Sequence, residues 1–223
     1  MVLEIYCPRF SQPSRSLFIF CTLNKIPFTE KKVDLMVEEN KSEAYRAINP
    51  RAAVPALIDD GFKLSECFTM LKYLARKFKV ADHWYPEELK ARARVDEYLD
   101  WQHTGIRKAG VNYFVSLVLT PLMTQAPANK TEVAENLEKF YKSLDVMDKT
   151  FLCDKKFLAG EQISIADLVA MSEIMQVAVA NVDVFAKNPN MKAWGDRVKK
   201  ALNPVFDEAH VEVKTFTAGV ISK

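Results

Sequence analysis

The stretch Val54-Pro55-Ala56-Leu57-Ile58-Asp59-Asp60-Gly61-Phe62-Lys63-Leu64-Ser65-Glu66-Cys67 holds a strand, a turn, a second strand and a helix start in direct succession. Val54 to Ile58 is apolar and opens on a proline. Pro55 lacks the N–H that a central strand donates, so it belongs at the first strand position or at an irregular junction. Asp60-Gly61 is a strong hairpin signal, because a type I′ turn needs positive φ and glycine adopts it without steric penalty. Cys67, Leu71, Leu74 and Phe78 then follow the spacing of a buried helix face. The helix is expected to begin at about Glu66, with Ser65 as its N-cap. A helix N-terminus presents unpaired N–H groups and the positive end of a dipole, which suits a carboxylate, while the Glu66 side chain suits an ammonium. Together they can hold the two charges of one free α-amino acid group. An acidic residue in a first helical turn is also, by itself, simply a favourable charge.

Working outward, Val2 to Tyr6 alternates as a first strand and Cys7 to Gln12 forms a polar connection. Pro13 suits the first turn of a helix running to about Asn24, and Phe28 to Val33 is β-prone. Strand, helix and strand in this succession imply a parallel βαβ unit with a right-handed crossover. Glu38 to Ala47 is weakly helical and ends at Asn49-Pro50. The sum, βαβ-α-ββα, is the thioredoxin arrangement of a mixed sheet with helices on both faces, in which the proline before the third strand is usually cis.

The expected architecture is an α/β thioredoxin-like N-terminal domain over 1–80, a linker over 81–87, and an all-α helical-bundle C-terminal domain over 88–223. In the helical part, Glu88 to about Leu119 reads as a long helix bent at Gly105 and Gly110 and closed by Pro121. Thr131 to Leu152 forms another, Met191 to Leu202 a third, and Pro204 begins the last. Ser164-Ile165-Ala166-Asp167 fits a capping box, and the run from Leu168 to Ala180 is apolar nearly all round, which makes its helix central.

A hydrophobic content of 49% and a charged content of 27% describe an ordinary globular chain. No apolar run is long enough to span a bilayer, and the N-terminus lacks a secretory pattern, so cytoplasm is the expectation. The net charge of +2, with no long basic block, argues against nucleic acid and membrane as partners. Up to Val80, 13 Lys and Arg face 9 Asp and Glu, which suits a small anionic ligand in that part. Cys7, Cys21, Cys67 and Cys153 are scattered without metal spacing, and His83, His103 and His210 lie far apart, so no metal is expected.

Ser11-Gln12-Pro13, Asn49-Pro50, Val54-Pro55-Ala56-Leu57, Trp84-Tyr85-Pro86 and the run Ala91-Arg92-Ala93-Arg94-Val95-Asp96-Glu97-Tyr98-Leu99 followed by Trp101-Gln102-His103 resemble the theta class of cytosolic glutathione transferases. The resemblance covers nearly the whole chain and implies an enzyme with glutathione as co-substrate. It implies Ser11 as the hydroxyl that donates to the glutathione sulfur, and Arg107 as a catalytic arginine facing the site. Gln12, Asn40, Lys41, Ala53, Val54, Pro55, Glu66 and Cys67 are implied as the glutathione-binding set. An electrophile pocket is implied at Cys7, Phe10, Leu35, Val115, Leu119, Met175 and Gln176. The expected chemistry is detoxifying conjugation of small electrophiles such as alkyl halides, epoxides and peroxides, by a homodimer.

Three positions depart from the class pattern: Cys67 stands where serine is usual, Asn40 where histidine is common, and Ala53 where lysine is common. They predict weaker binding of the glutathione carboxylates. The chain ends at Lys223 without the C-terminal extension of some theta members, which predicts a more open pocket. Two other readings stand beside the transferase: glutathione-dependent thiol–disulfide exchange through Cys7 or Cys67, and a non-enzymatic binding or scaffold protein of the same fold.

Overall fold

In the computed structural model, which describes residues 3–221, the opening stretch folds as its turn chemistry requires. Strands β3 (Ala56–Asp59) and β4 (Phe62–Ser65) pair antiparallel, with Asp59 opposite Phe62. Asp60 and Gly61 between them both have positive φ, 46° and 90°, the signature of a type I′ turn. The Val54–Pro55 bond ahead of β3 is cis.

Strand β1 (Leu3–Tyr6) pairs parallel with β2 (Thr29–Lys31) and antiparallel with β3, giving the mixed order β2-β1-β3-β4. Val2, the expected first residue of β1, lies outside the described residues. Helix α1 (Gln12–Leu23) joins the parallel pair, and the short α2 (Glu43–Arg46) precedes β3. The expected start of α3 needs correction. The helix spans Cys67–Lys77 with Glu66 as its N-cap, and Ser65 is the last residue of β4. The main chain turns through Glu66 at φ 72°, so the helix begins one residue later than side-chain capping preferences suggest.

After a 3₁₀ turn at Asp82–Trp84 everything is helical: α4 (Leu89–Gln102), α5 (Ile106–Phe114), α6 (Thr120–Thr124), α7 (Lys130–Val146), α8 (Ile165–Ala178), α9 (Pro189–Leu202), α10 (Val205–Ala209) and α11 (Val211–Ile221). The long helix breaks at Gly105, where a β-carbon would come within 2.5 Å of the Trp101 ring. Gly110 stays inside α5 without a break. Pro121 does not close the helix. A wide π-turn over Val115–Leu119 precedes α6, whose first turn takes Pro121 where its missing N–H has no intrahelical partner. Pro204 opens α10 rather than the last helix, because the chain re-orients at His210 and continues as α11.

Helix α8 is the axis of the molecule. Its capping box forms as expected: the Ala166 N–H donates to Ser164 Oγ at 3.2 Å, and the Ser164 N–H donates to Asp167 Oδ2 at 2.9 Å. Asp167 is fully buried and also accepts from the Leu158 N–H at 2.8 Å and from Trp194 Nε1 at 2.9 Å. One carboxylate therefore fastens α8 to the preceding loop and to α9. The apolar core is continuous from Leu3 and Ile5 on β1, through Leu17 and Ile19 on α1, to Leu168 and Ile174 on α8. The sheet is thus mounted on α8 through α1, and that mounting positions the site.

Candidate active site

The connection from β1 to α1 is held from several directions. The Cys7 N–H donates to Lys31 O at 3.1 Å, extending the parallel pair by one residue, and the Ser11 N–H closes a turn on Pro8 O at 3.0 Å. Arg15, fully buried on α1, donates to the carbonyls of Arg9 and Phe10 at 3.0 and 2.9 Å. Its other nitrogen donates to Ser172 O and Gln176 Oε1 on α8 at 3.3 and 2.7 Å. Burial pulls the Arg15 pKa down to about 10, which leaves it charged at neutral pH. Arg9 lies 3.6 Å over the Phe18 ring, donates along one edge to both carboxylate oxygens of Glu30 at 2.9 and 2.8 Å, and reaches Glu208 on α10 at 3.1 Å.

Ser11, held in this loop, is the N-cap of α1 with extended backbone (φ −81°, ψ 131°), yet its hydroxyl makes no capping bond. An N-cap serine usually accepts from the second or third helical N–H. Here the second position is Pro13, which has none. Ser11 is half-buried, and among the described residues its hydroxyl has no hydrogen-bond partner.

Two clefts flank this point. The smaller, about 200 Å³, lies between Pro13 on α1, the Val54–Pro55 junction, the start of α3 and two residues of the helical part, His103 and Arg107. Helix α3 begins without a side-chain cap, so its first N–H groups are open to an anion. Asn49 Nδ2 and Tyr45 Oη both donate to Ala53 O at 2.8 Å, and Asn40 Nδ2 donates to Ala52 O at 2.7 Å, fixing the backbone that leads into Val54. At the rim, Arg51 pairs with Glu66 at 2.6 Å and donates to Ser65 Oγ at 2.8 Å, both partners of the ion pair being more than half exposed. Arg107 is ion-paired with the buried Glu173 of α8. Burial raises the Glu173 pKa, and Arg107 opposes that shift.

The larger cleft, about 590 Å³, is bounded by the Cys7–Phe10 loop, the segment 32–36 after β2, and the outer face of α10 and α11. Phe10 forms its floor, edge-on to Phe114 at 5.9 Å and to Phe216 at 4.8 Å between ring centres. Ser11 itself lines neither cleft; it lies in the chain between Phe10, which lines the larger, and Pro13, which lines the smaller.

Residues 6–82 match the family described as glutathione S-transferase, N-terminal domain, and residues 112–200 match glutathione S-transferase, C-terminal domain. The chain is 44% identical to glutathione S-transferase theta-1 of Mus musculus, over 94% of its own length and 88% of the relative's. The chain belongs to the theta-class glutathione S-transferases. Glutathione S-transferase theta-2 of Mus musculus is 39% identical over 94% of this chain and 86% of its own. Among solved structures, a human theta-class transferase in complex with the glutathione conjugate of 1-menaphthyl sulfate superposes with a TM-score of 0.95 at 35% identity, covering 100% of this chain and 91% of that one. Human glutathione transferase theta-2, in complex with glutathione and an unknown ligand, gives 0.94 at 36% identity, covering 99% and 90%.

In this transferase the residues expected from sequence divide by location. Ala53, Val54, Pro55, Glu66, Cys67 and Arg107 share the smaller cleft. Gln12 lies beside it at the start of α1, Asn40 supports it from behind through Ala52, and Lys41 points to Glu38 on the outer surface. Cys7, Phe10 and Leu35 line the larger cleft. Leu119 and Met175 instead pack in the apolar cluster beneath Phe10, Gln176 is buried against Arg15, and Val115 is exposed. Those four sit on or beside helices whose inward faces are occupied by the core, so helical apolarity did not translate into cleft lining.

The transferase also holds residues the sequence reading passed over. Arg51 brings a cation to the rim where Ala53 offers none, and the signal was its place in the polar loop directly before the cis-proline. Val211, Glu212 and Phe216 form the far wall of the larger cleft. The periodic Val213, Phe216, Thr217 and Val220 could have marked α11 as a separate helix.

Among the described residues no helix is long and apolar enough to cross a membrane, and no group of three or more metal-ligating side chains converges.

Proposed function

We propose that Ser11 activates glutathione as its thiolate between the two clefts, with the tripeptide in the smaller and a small hydrophobic electrophile in the larger. The observation that carries this reading is the Ser11 hydroxyl, held in a clamped loop and without a hydrogen-bond partner among the described residues. A hydroxyl donor and the N-terminus of α1 both stabilise a sulfur anion relative to the thiol. The uncapped start of α3 and Glu66 suit the γ-glutamyl carboxylate and ammonium, and the Val54 backbone suits the cysteinyl amide. Arg107 adds positive charge near the sulfur, with Glu173 behind it. With an alkyl halide or epoxide the thiolate sulfur supplies the electron pair of the new C–S bond, and the halide or the epoxide oxygen takes the pair of the bond that breaks. With a peroxide the sulfur attacks oxygen, the O–O bond breaks to release an alkoxide, and a second glutathione converts the resulting sulfenic acid to disulfide and water. Binding both partners next to each other supplies proximity, and the fixed donors supply electrostatic stabilisation. Alkyl halides, epoxides and peroxides are the proposed electrophile classes.

The organisation we assign is 1–80 for glutathione, 81–87 as the linker and 88–223 for much of the electrophile site, supported by the last sheet-side helix ending at Lys77 and α4 beginning at Leu89. The resemblance to the class supports a cytoplasmic homodimer, and exposed Phe62 on β4 and Leu89 on α4 offer apolar surface for association.

The thiol-exchange reading is disfavoured. Cys7 is fully buried and its thiol is directed at Ile5 O, while Cys67 is buried and directed at Pro13 O at 3.2 Å. Burial raises both thiol pKa values, the opposite of what a nucleophilic cysteine needs. The test is conjugation of glutathione to a neutral benzyl chloride, followed by mass spectrometry and chloride release. We expect a thioether conjugate formed equally well by native protein and by Cys7→Ser and Cys67→Ser variants. Absence of conjugate, or its loss in either cysteine variant, overturns the proposal.

A further inference from the structure

The larger cleft is apolar along its floor and charged at its rim. Phe10, Leu35 and Phe216 supply the apolar surface. The rim carries two cations, Arg9 and Lys32, against four carboxylates, Glu30, Asp34, Glu208 and Glu212, a net charge of −2. Arg9 is not available to a ligand: its guanidinium is held by Glu30 along one edge and by Glu208 at the other, and lies over the Phe18 ring. That cluster of three is itself net negative. Lys32, Asp34 and Glu212 also line the cleft; among the described residues none of the three is in an ion pair, and the Asp34 carboxylate accepts from the Met36 N–H at 2.8 Å. Lys32 is the one cation of this lining outside an ion pair among the described residues, and Asp34 and Glu212 outnumber it.

Resting on the electrophile role proposed above for this cleft, we infer that it selects by charge, accepting neutral and cationic apolar electrophiles and disfavouring anionic ones, with Asp34 and Glu212 as the specificity-determining residues. A concave site with low-dielectric walls concentrates the field of its rim charges. In a solvent-open cleft, a unit charge about 8 Å away changes an encounter or binding equilibrium roughly two-fold, and a net charge of two about five-fold. Salt reduces both. The chemistry adds to this at the leaving group. When the thiolate sulfur forms the C–S bond, a chloride departs as a monoanion, whereas a sulfate ester releases a dianion into the same negative field.

The experiment uses three benzyl chlorides that differ only in a remote substituent: 4-(chloromethyl)phenylacetate, its methyl ester, and the 2-[4-(chloromethyl)phenyl]ethyl-trimethylammonium cation. For each, kcat/KM is divided by the uncatalysed rate with glutathione at the same pH and salt. Thiolate absorbance of bound glutathione is recorded in parallel. We expect the carboxylate probe to fall about three- to ten-fold below the ester, and the ammonium probe to equal or exceed the ester. The gap should shrink to within about two-fold in Asp34→Asn/Glu212→Gln and in high salt. If bound glutathione ionises and the ester reacts but the three probes agree, or the gap persists in the double variant, charge selection is wrong while the transferase reading stands. If no probe reacts although glutathione ionises, the assignment of this cleft fails and the inference fails with it.

Discussion

The two clefts on either side of Ser11 in the chain are built by opposite means. The smaller is made mostly of residues close in sequence, from Asn49 to Phe68, and its backbone is fixed by short polar contacts such as those of Asn49, Tyr45 and Asn40. The larger is closed by Glu208, Glu212 and Phe216, about two hundred residues from the Cys7–Phe10 loop they face, and its shape depends on how α10 and α11 fold back. Arg15 stands behind both, holding the loop that separates them to α8. On the assignment proposed above, the difference teaches that a site for a constant co-substrate can be written locally, whereas a site for variable electrophiles is assembled from distant helices.

The largest effect should come from a residue that belongs to neither cleft. Asp167→Ala removes four hydrogen bonds at one fully buried carboxylate and strands the Trp194 and Leu158 N–H groups. We expect a loss of about 3–5 kcal/mol in urea unfolding, well beyond the roughly 1 kcal/mol of an isolated cap. Glutathione affinity of the folded fraction should be unchanged. A selective loss of either ligand would show that α8 shapes one cleft more than the other.

His210 stands at the turn between the two helices that wall the larger cleft. It is fully buried at the turn from α10 to α11, with Nδ1 2.7 Å from Phe206 O. The groups facing it from neighbouring elements are Arg15 on α1, Lys199 on α9 and Lys214 on α11. Burial, aided by these cations, lowers its pKa from 6.5 to about 2. The unfolded chain therefore binds a proton that the folded chain refuses. The resulting stability is fully present above about pH 6.5 and is lost as pH falls toward 2. Between about pH 6 and 4 this group should contribute roughly 1.4 kcal/mol per pH unit to the decline in unfolding free energy. His210→Phe should lack that component, and an unaltered slope would refute the assignment.

The smallest effect is expected at the rim of the smaller cleft. Because the Arg51–Glu66 pair is well exposed, Arg51→Ala should change stability by less than about 1 kcal/mol. Glutathione affinity, read by calorimetry, should weaken several-fold, since Arg51 is the cation beside a cleft in which position 53 is alanine. Unchanged affinity would mean that Arg51 serves Glu66 and Ser65 only.

What was legible in the sequence follows the same division. Asp60-Gly61 specified the hairpin, and Ser164 with Asp167 specified the capping box, because both rest on contacts within four residues. The start of α3 was misplaced by one residue, since the main chain turns through Glu66 at positive φ, a conformation that local residue preferences do not mark at a glutamate. Pro121 read as a helix end because a π-turn that admits it leaves no local trace. Val115, Leu119, Met175 and Gln176 lie on or beside apolar helical faces, but only three-dimensional packing determines whether such a face meets the core or a cleft. The wall formed by α11 was hidden for the same reason.

The central claim is that the Ser11 hydroxyl stabilises the glutathione thiolate. Ultraviolet thiolate absorbance of bound glutathione, titrated against pH in native protein and in Ser11→Ala, tests it directly. Native protein should ionise the bound thiol at least about one pH unit below the free thiol, and Ser11→Ala should return it to within a few tenths of a unit. If Ser11→Ala binds glutathione and ionises it as readily as native protein, Ser11 is not the activating group and the account is contradicted.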